Sequence, residues 1–206
     1  MQRIALLFTA LALITTAACG KKGDGDKAGD KGADKTVEAP AEKAPSIKIN
    51  EADWAVKDLH EVAPMIHVSM KVPKDAKLEK NGNGGVDIKI ADAYMLTVSA
   101  IAVSNIAEAI KSDKSLTTEN ASSYINGKVL SEDPNGFVYT MQMKTEANGH
   151  TYQPEAHFAY YLDKEGAIYS ILDQRPLEAF SAPGSTYSEA LAKQVYGLVK
   201  GSAKAN

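Results

Sequence analysis

Cysteine is nearly absent. The 206 residues contain one, Cys19, so the chain can form no disulfide within itself and no cysteine-built zinc or iron–sulfur centre. Arginine is almost as scarce, occurring only at Arg3 and Arg175. Neither sign of charge dominates: 23 Lys plus Arg stand against 26 Asp plus Glu, a formal −3. Phosphate contacts need concentrated positive charge, so nucleic acid is excluded as a partner. No uncharged run reaches the roughly 20 residues that an ordinary membrane-spanning helix requires. Catalytic patterns are also missing. No GxSxG elbow occurs, and Gly82, Gly84 and Gly85 lack the strand-to-helix setting of a phosphate cradle. The residues imply no cofactor and no catalytic set.

The N-terminus is richer. Met1, Gln2 and Arg3 form a short positive start, and residues 4–18 are uncharged and mostly apolar, the layout of a secretory signal. The sole cysteine follows directly, in Thr16-Ala17-Ala18-Cys19-Gly20. This resembles a bacterial lipoprotein signal, although Thr16 stands where that family prefers Leu. The resemblance implies a signal peptide over residues 1–18 and lipid attachment at Cys19. The acylated, palmitate-bearing cysteine would then hold the chain in the bilayer, since several acyl chains give stable anchoring. Gly20 is not the aspartate associated with inner-membrane retention. The expected location is therefore the bacterial cell envelope, at the outer membrane and facing the periplasm.

A spacer comes next. Residues 20–45 carry six lysines and six acidic residues, no aromatic residue, and Val37 as their only large aliphatic. Such a stretch cannot bury enough apolar surface to offset ordering its backbone. Cys19 and this linker, residues 19–45, are expected to reach on the order of 30 Å as a flexible coil.

Residues 46–206 are long enough for one domain with a real core. Asn50 is placed to cap a short helix running to about Leu59, with Trp54 as a packing anchor. Strand alternation follows. Ile66, Val68, Met70 and Val72 alternate with polar residues, as do Val86, Ile88 and Ile90. Residues 94–103 return through a turn at Asp92-Ala93, and Asn105 with Glu108 three residues on marks a helix start. Further strands are expected over residues 128–132, 137–143, 155–162 and 167–172. Thr186 and Glu189 form a capping box ahead of a C-terminal helix bearing Tyr187, Leu191, Val195 and Leu198 on one stripe. Seven strands with few helices mean an α+β domain, a mostly antiparallel sheet flanked by helices.

That order resembles the Mog1/PsbP-like α/β/α sandwich over roughly residues 65–200. The features are an early strand running into Val72-Pro73, the hairpin ending in residues 94–103, and the helix near Ile106 and Ile110. Ile125-Asn126-Gly127-Lys128, the returning strand Ala167-Ile168-Tyr169-Ser170-Ile171 and the terminal helix complete it. Lys74-Asp75-Ala76 replaces the Gly-Trp common after the early proline. Val199-Lys200-Gly201-Ser202 stands where Ser-Phe is common. The resemblance implies, by analogy, a binding or assembly role rather than catalysis.

Two site readings remain. Four histidines occur: His60, His67, His150 and His157. His67 aligns with Ser69 and Lys71, and His157 with Glu155, so both lie on polar strand faces, where solvated histidines are ordinary. If those strands were neighbours, His67, His157 and Glu155 would converge as two imidazoles and a carboxylate on zinc. That is the expectation for an envelope hydrolase or metal-dependent enzyme. Alternatively, Tyr161, Tyr169 and Arg175 would line a groove for a peptide, glycan or small ligand. Cross-strand packing of the tyrosines is the competing account. The favoured function is a membrane-anchored, non-enzymatic binding or assembly module for an envelope protein.

Overall fold

In the computed structural model, residues 47–91, 94–119, 124–144, 152–174 and 187–206 are described. All lie within Pro40–Asn206, one of two units into which the chain divides. The expected signal, Cys19 and the charged spacer fall outside the described residues. So do Arg175, His150, the Asp92-Ala93 turn and Thr186. Among the described residues no helix is long and apolar enough to cross a membrane.

Ten strands and two α-helices are present among these residues. The strands are β1 (Trp54–Asp58), β2 (Val68–Pro73), β3 (Lys77–Lys80), β4 (Val86–Ala91) and β5 (Tyr94–Ile101). After helix α1 (Ile106–Lys114) come β6 (Tyr124–Asp133), β7 (Gly136–Met143), β8 (Glu155–Lys164) and β9 (Ala167–Gln174). Helix α2 (Glu189–Ser202) and β10 (Lys204–Ala205) close the chain. Seven strands form one sheet in the order β3-β4-β5-β9-β8-β7-β6, and β1-β2-β10 form a second. Every pairing is antiparallel. The architecture is α+β, with antiparallel sheets flanked by two helices.

Alternation explains the layers. On one face of the large sheet Ile88, Leu96, Phe158, Tyr160 and Ile171 pack against Val68, Met70 and Val72 of β2 and Leu191, Val195 and Val199 of α2. On the other face Phe137, Tyr139, Ala159 and Tyr161 pack under Ala109 and Ile110 of α1. The Tyr161 hydroxyl donates to the Asp113 carboxylate, which fixes α1 to the sheet. Beyond α1 this face turns polar: Thr97 donates to Asp87 Oδ1 at 2.8 Å.

Local chemistry sets the ends. Asn105 Oδ1 accepts the Glu108 N–H at 2.9 Å, as its spacing with Glu108 predicts, and Glu108 reaches back to the Ser104 N–H. Ser188, rather than Thr186, caps α2 by accepting the Leu191 N–H at 3.2 Å. Glu165 and Gly166, with φ of 53° and 86°, form the two-residue turn between β8 and β9.

The helix expected from Asn50 to Leu59 is instead a single 3₁₀ turn, Glu51–Asp53, followed by β1. Asn50 does cap that turn, accepting the Ala52 N–H at 3.3 Å. Tertiary pairing overrides helical preference here. Trp54 is buried, and β1 satisfies its backbone against β2, from Trp54↔Pro73 to Asp58↔Ser69.

Gly136 marks the tightest approach. A Cβ there would lie 2.2 Å from the Ala159 carbonyl oxygen and 3.0 Å from the Tyr160 Cα. Gly136→Ala is expected to cost about 1–3 kcal/mol in urea unfolding, through backbone displacement of β8. Gly82→Ala, where a Cβ meets nothing within 4 Å, is the control and is expected to shift stability by no more than about 0.5 kcal/mol. Equal stability of the two variants would contradict the packing.

Candidate functional site

The β8–β9 ladder starts at the turn and stops early. Its last pair is Ala159↔Leu172. Past this point β8 still pairs with β7, through Tyr139↔His157 to Met141↔Glu155. Likewise β9 still pairs with β5, through Leu96↔Asp173 and Met95↔Gln174. The large sheet therefore parts between its fourth and fifth strands in the order above. Two N–H groups of β8 lose their strand partner and must find another. Phe158 N–H donates to Asp173 Oδ1 at 2.9 Å. Ala156 N–H donates to the Tyr187 carbonyl at 2.7 Å.

His157 fills the opening. Its Nδ1 lies 3.3 Å from Asp173 Oδ1 and its Nε2 3.2 Å from Glu155 Oε2. The His157 side chain is 5 % exposed, and the Asp173 side chain is fully buried. Tyr187 lies against the imidazole at 4.6 Å between ring centroids, and Tyr139 at 5.9 Å. Tyr94 stands behind, its ring 5.2 Å from Tyr187 and its hydroxyl 3.4 Å from Asp173 Oδ2.

Electrostatics decide the protonation state. Burial alone pushes the His157 pKa down. The charge and hydrogen bond of Asp173, with Glu155 adding to them, outweigh burial and raise it to about 9. At neutral pH the ring is an imidazolium donating from both nitrogens. Burial and the Asp173 charge also push the Tyr94 and Tyr139 hydroxyls well up, so both stay neutral donors. An imidazolium donating from both nitrogens has no lone pair for a proton or a metal. The arrangement holds strand ends together; as it stands it offers neither a general base nor a ligand.

The expected zinc set is not assembled. Glu155 and His157 do meet, but the third member is Asp173, not His67. The reason is topological: β2 belongs to the small sheet, and β8 lies between β7 and β9. His67 stacks on His60 instead, at 4.7 Å between centroids. Among the described residues no three His, Cys, Asp or Glu side chains are grouped to hold a metal ion. His157 is also not the solvated histidine that its polar strand face suggests.

The two tyrosines of the expected groove are not brought together either. Tyr161 is buried in the layer under α1, and Tyr169 in the layer under α2, on the opposite face. The surface hollows lie elsewhere. Two shallow hollows of about 320 and 310 Å³ share Lys111 on α1. Leu116, 62 % exposed, borders the first, and Ile110, Pro134 and the Lys114–Glu132 ion pair line the second. No sequence motif marks this surface; only the exposure of Leu116 does.

No protein-family model matches the chain, and no curated protein matches it. Among solved structures, it is similar to the solution structure of cyanobacterial PsbP (CyanoP) from Synechocystis sp. PCC 6803. The two share 11 % identity at a TM-score of 0.38, over 82 % of this chain and 100 % of that one. The resemblance to the PsbP-like fold is weak and partial.

The charged cluster gives the domain a defined pH dependence. The native His157 pKa lies above its ordinary 6.5, so its stabilisation is complete below about pH 6.5 and is lost as pH rises through about 9. Unfolding free energy is expected to fall by about 3 kcal/mol across that interval. His157→Gln is expected to be less stable at pH 6 and to lack this decline. A wild-type profile that is flat from pH 6.5 to 9 would contradict the clamp.

Proposed function

We propose that this chain is a lipid-tethered, non-enzymatic binding or assembly module of the bacterial envelope. One observation carries the non-enzymatic part: the histidine–carboxylate set is closed on itself. Both imidazole nitrogens are engaged and the ring is almost fully buried. A general base needs a free lone pair within reach of substrate, and His157 has none.

The tether rests on the sequence. The positive start, the uncharged run and the sole cysteine at its end are consistent with acylation at Cys19, and residues 20–45 with a solvated spacer. Attached through Cys19, the domain would work close to the outer membrane and face the periplasm. Its partner is an envelope protein. The α1 surface supports that reading: exposed Leu116 borders one hollow with Glu108 and Lys111, and Pro134 borders a second with Lys114 and Glu132. Exposed apolar side chains beside charged ones are a common feature of protein interfaces.

A photo-crosslinking residue placed at Leu116 tests both halves in native cells. The expected result is one dominant envelope protein crosslinked from position 116 and not from exposed Val56, on the small sheet. Cys19→Ala is expected to move the chain from the membrane to the soluble periplasmic fraction and to reduce that crosslink strongly. Unchanged membrane association of Cys19→Ala would refute the anchor. Crosslinks of equal pattern from 116 and 56 would refute the interface.

A further inference from the structure

The segment between β1 and β2 sorts its side chains cleanly. Leu59, Ala63 and Ile66 are turned inward, at most 1 % exposed. His60, Met65 and His67 are turned outward, Met65 with 71 % exposure. Hydrogen bonds fix the backbone that carries them. His60 N–H donates to Asp58 Oδ1 at 3.1 Å, Ala63 N–H to the Leu59 carbonyl at 3.0 Å, and Ile66 N–H to the Ala63 carbonyl at 2.9 Å. The His67 carbonyl accepts the Asn206 N–H at 2.9 Å, tying this segment to the end of β10. His60 and His67 thus meet on the solvent side of a fixed base, and Met65 is exposed in the turn just before His67.

We propose that His60, Met65 and His67 form a surface site for a single Cu(I) ion. The two imidazoles already touch, with centroids 4.7 Å apart and planes 25° apart. Met65 precedes His67 by two residues, and the buried Ile66 between them leaves both on the solvent side. Two imidazole nitrogens and a thioether sulfur are a soft-to-borderline donor set. Such a set suits Cu(I) and suits magnesium or calcium poorly, since those want oxygen. Cu(I) also accepts two or three ligands, whereas a structural zinc site asks for four. Near-parallel rings direct their in-plane lone pairs side by side. Coordination therefore requires the stack to open by rotation about the side-chain torsions. Both rings are exposed, so that rotation turns them through solvent-facing space. The site is independent of the buried His157 clamp and of the α1 surface.

The test uses the full chain carrying Cys19→Ala, which removes the one competing thiol. Anaerobic titration with Cu(I) against bicinchoninate is expected to withdraw one copper per chain. His60→Ala, His67→Ala and Met65→Leu lie at exposed positions and are expected to keep the far-ultraviolet circular dichroism spectrum. Each is expected to weaken copper withdrawal by about tenfold or more. X-ray absorption of the copper-loaded chain is expected to show a sulfur neighbour that disappears in Met65→Leu. If the parent leaves copper with the chelator, the assignment is wrong. It is equally wrong if the double variant His60→Ala/His67→Ala withdraws copper like the parent, or if no sulfur neighbour is seen.

Discussion

A single side-chain carboxylate takes the place of a backbone carbonyl inside the large sheet. Asp173 accepts the Phe158 N–H where a backbone carbonyl of β9 would otherwise serve. That substitution lets the large sheet part between β8 and β9 while each strand keeps its outer neighbour. A parted sheet exposes unpaired N–H groups and a wedge of empty space, and both are costly in an interior. Tyr187 supplies a carbonyl to the remaining N–H and a ring to the wedge. His157 supplies the positive charge that makes a buried Asp173 tolerable. Removing either charge leaves the other stranded, which is why such pairs are strongly destabilising to break even when the intact pair adds little net stability.

The clamp also positions the domain's other parts. Tyr187 immediately precedes Ser188 and α2, so its anchoring at the parted strands sets where α2 begins over the sheet. Further along α2, Tyr196 and Lys200 both donate to Asp133 Oδ2 at 2.7 Å, at the end of β6 beside the β6–β7 turn. The helix is thereby fixed at both ends against one face. That face is filled by β2 and α2, whereas α1 leaves part of the other face open. Leu116 stands exposed beside α1.

Much of this fold is legible in the sequence, and the failures have physical causes. Alternating residues identify β2 and β4, and strands are also expected where β5, β7, β8 and β9 lie, although β8 and β9 are buried on both faces. β3 escapes notice since Lys77, Leu78, Glu79 and Lys80 lie at an exposed edge with one apolar residue among them. β10 has two residues, too few for any period. β1 looks helical because its capping residue is real while its strand partner is remote in sequence. At the candidate site, Glu155 and His157 are visibly on one strand face. Asp173 was within reach of the same reasoning. Counting outward from the Glu165-Gly166 turn places it opposite Phe158, one residue from His157. Whether the strands then stay paired or part is not written locally, since it depends on Tyr187 arriving from beyond β9. Buried ring contacts between distant strands are equally silent in sequence, which is why Tyr161 and Tyr169 look like neighbours and occupy opposite faces.

The protonation state of His157 is the direct test of the clamp. Nitrogen-15 NMR of the imidazole in the folded protein at pH 7.5 reads it without perturbing the structure. The account predicts a doubly protonated ring, with both nitrogens carrying slowly exchanging protons and titrating only as pH approaches about 9. A neutral ring at pH 7.5, with one nitrogen unprotonated, would contradict it and would free that nitrogen for the base or ligand chemistry that the clamp denies.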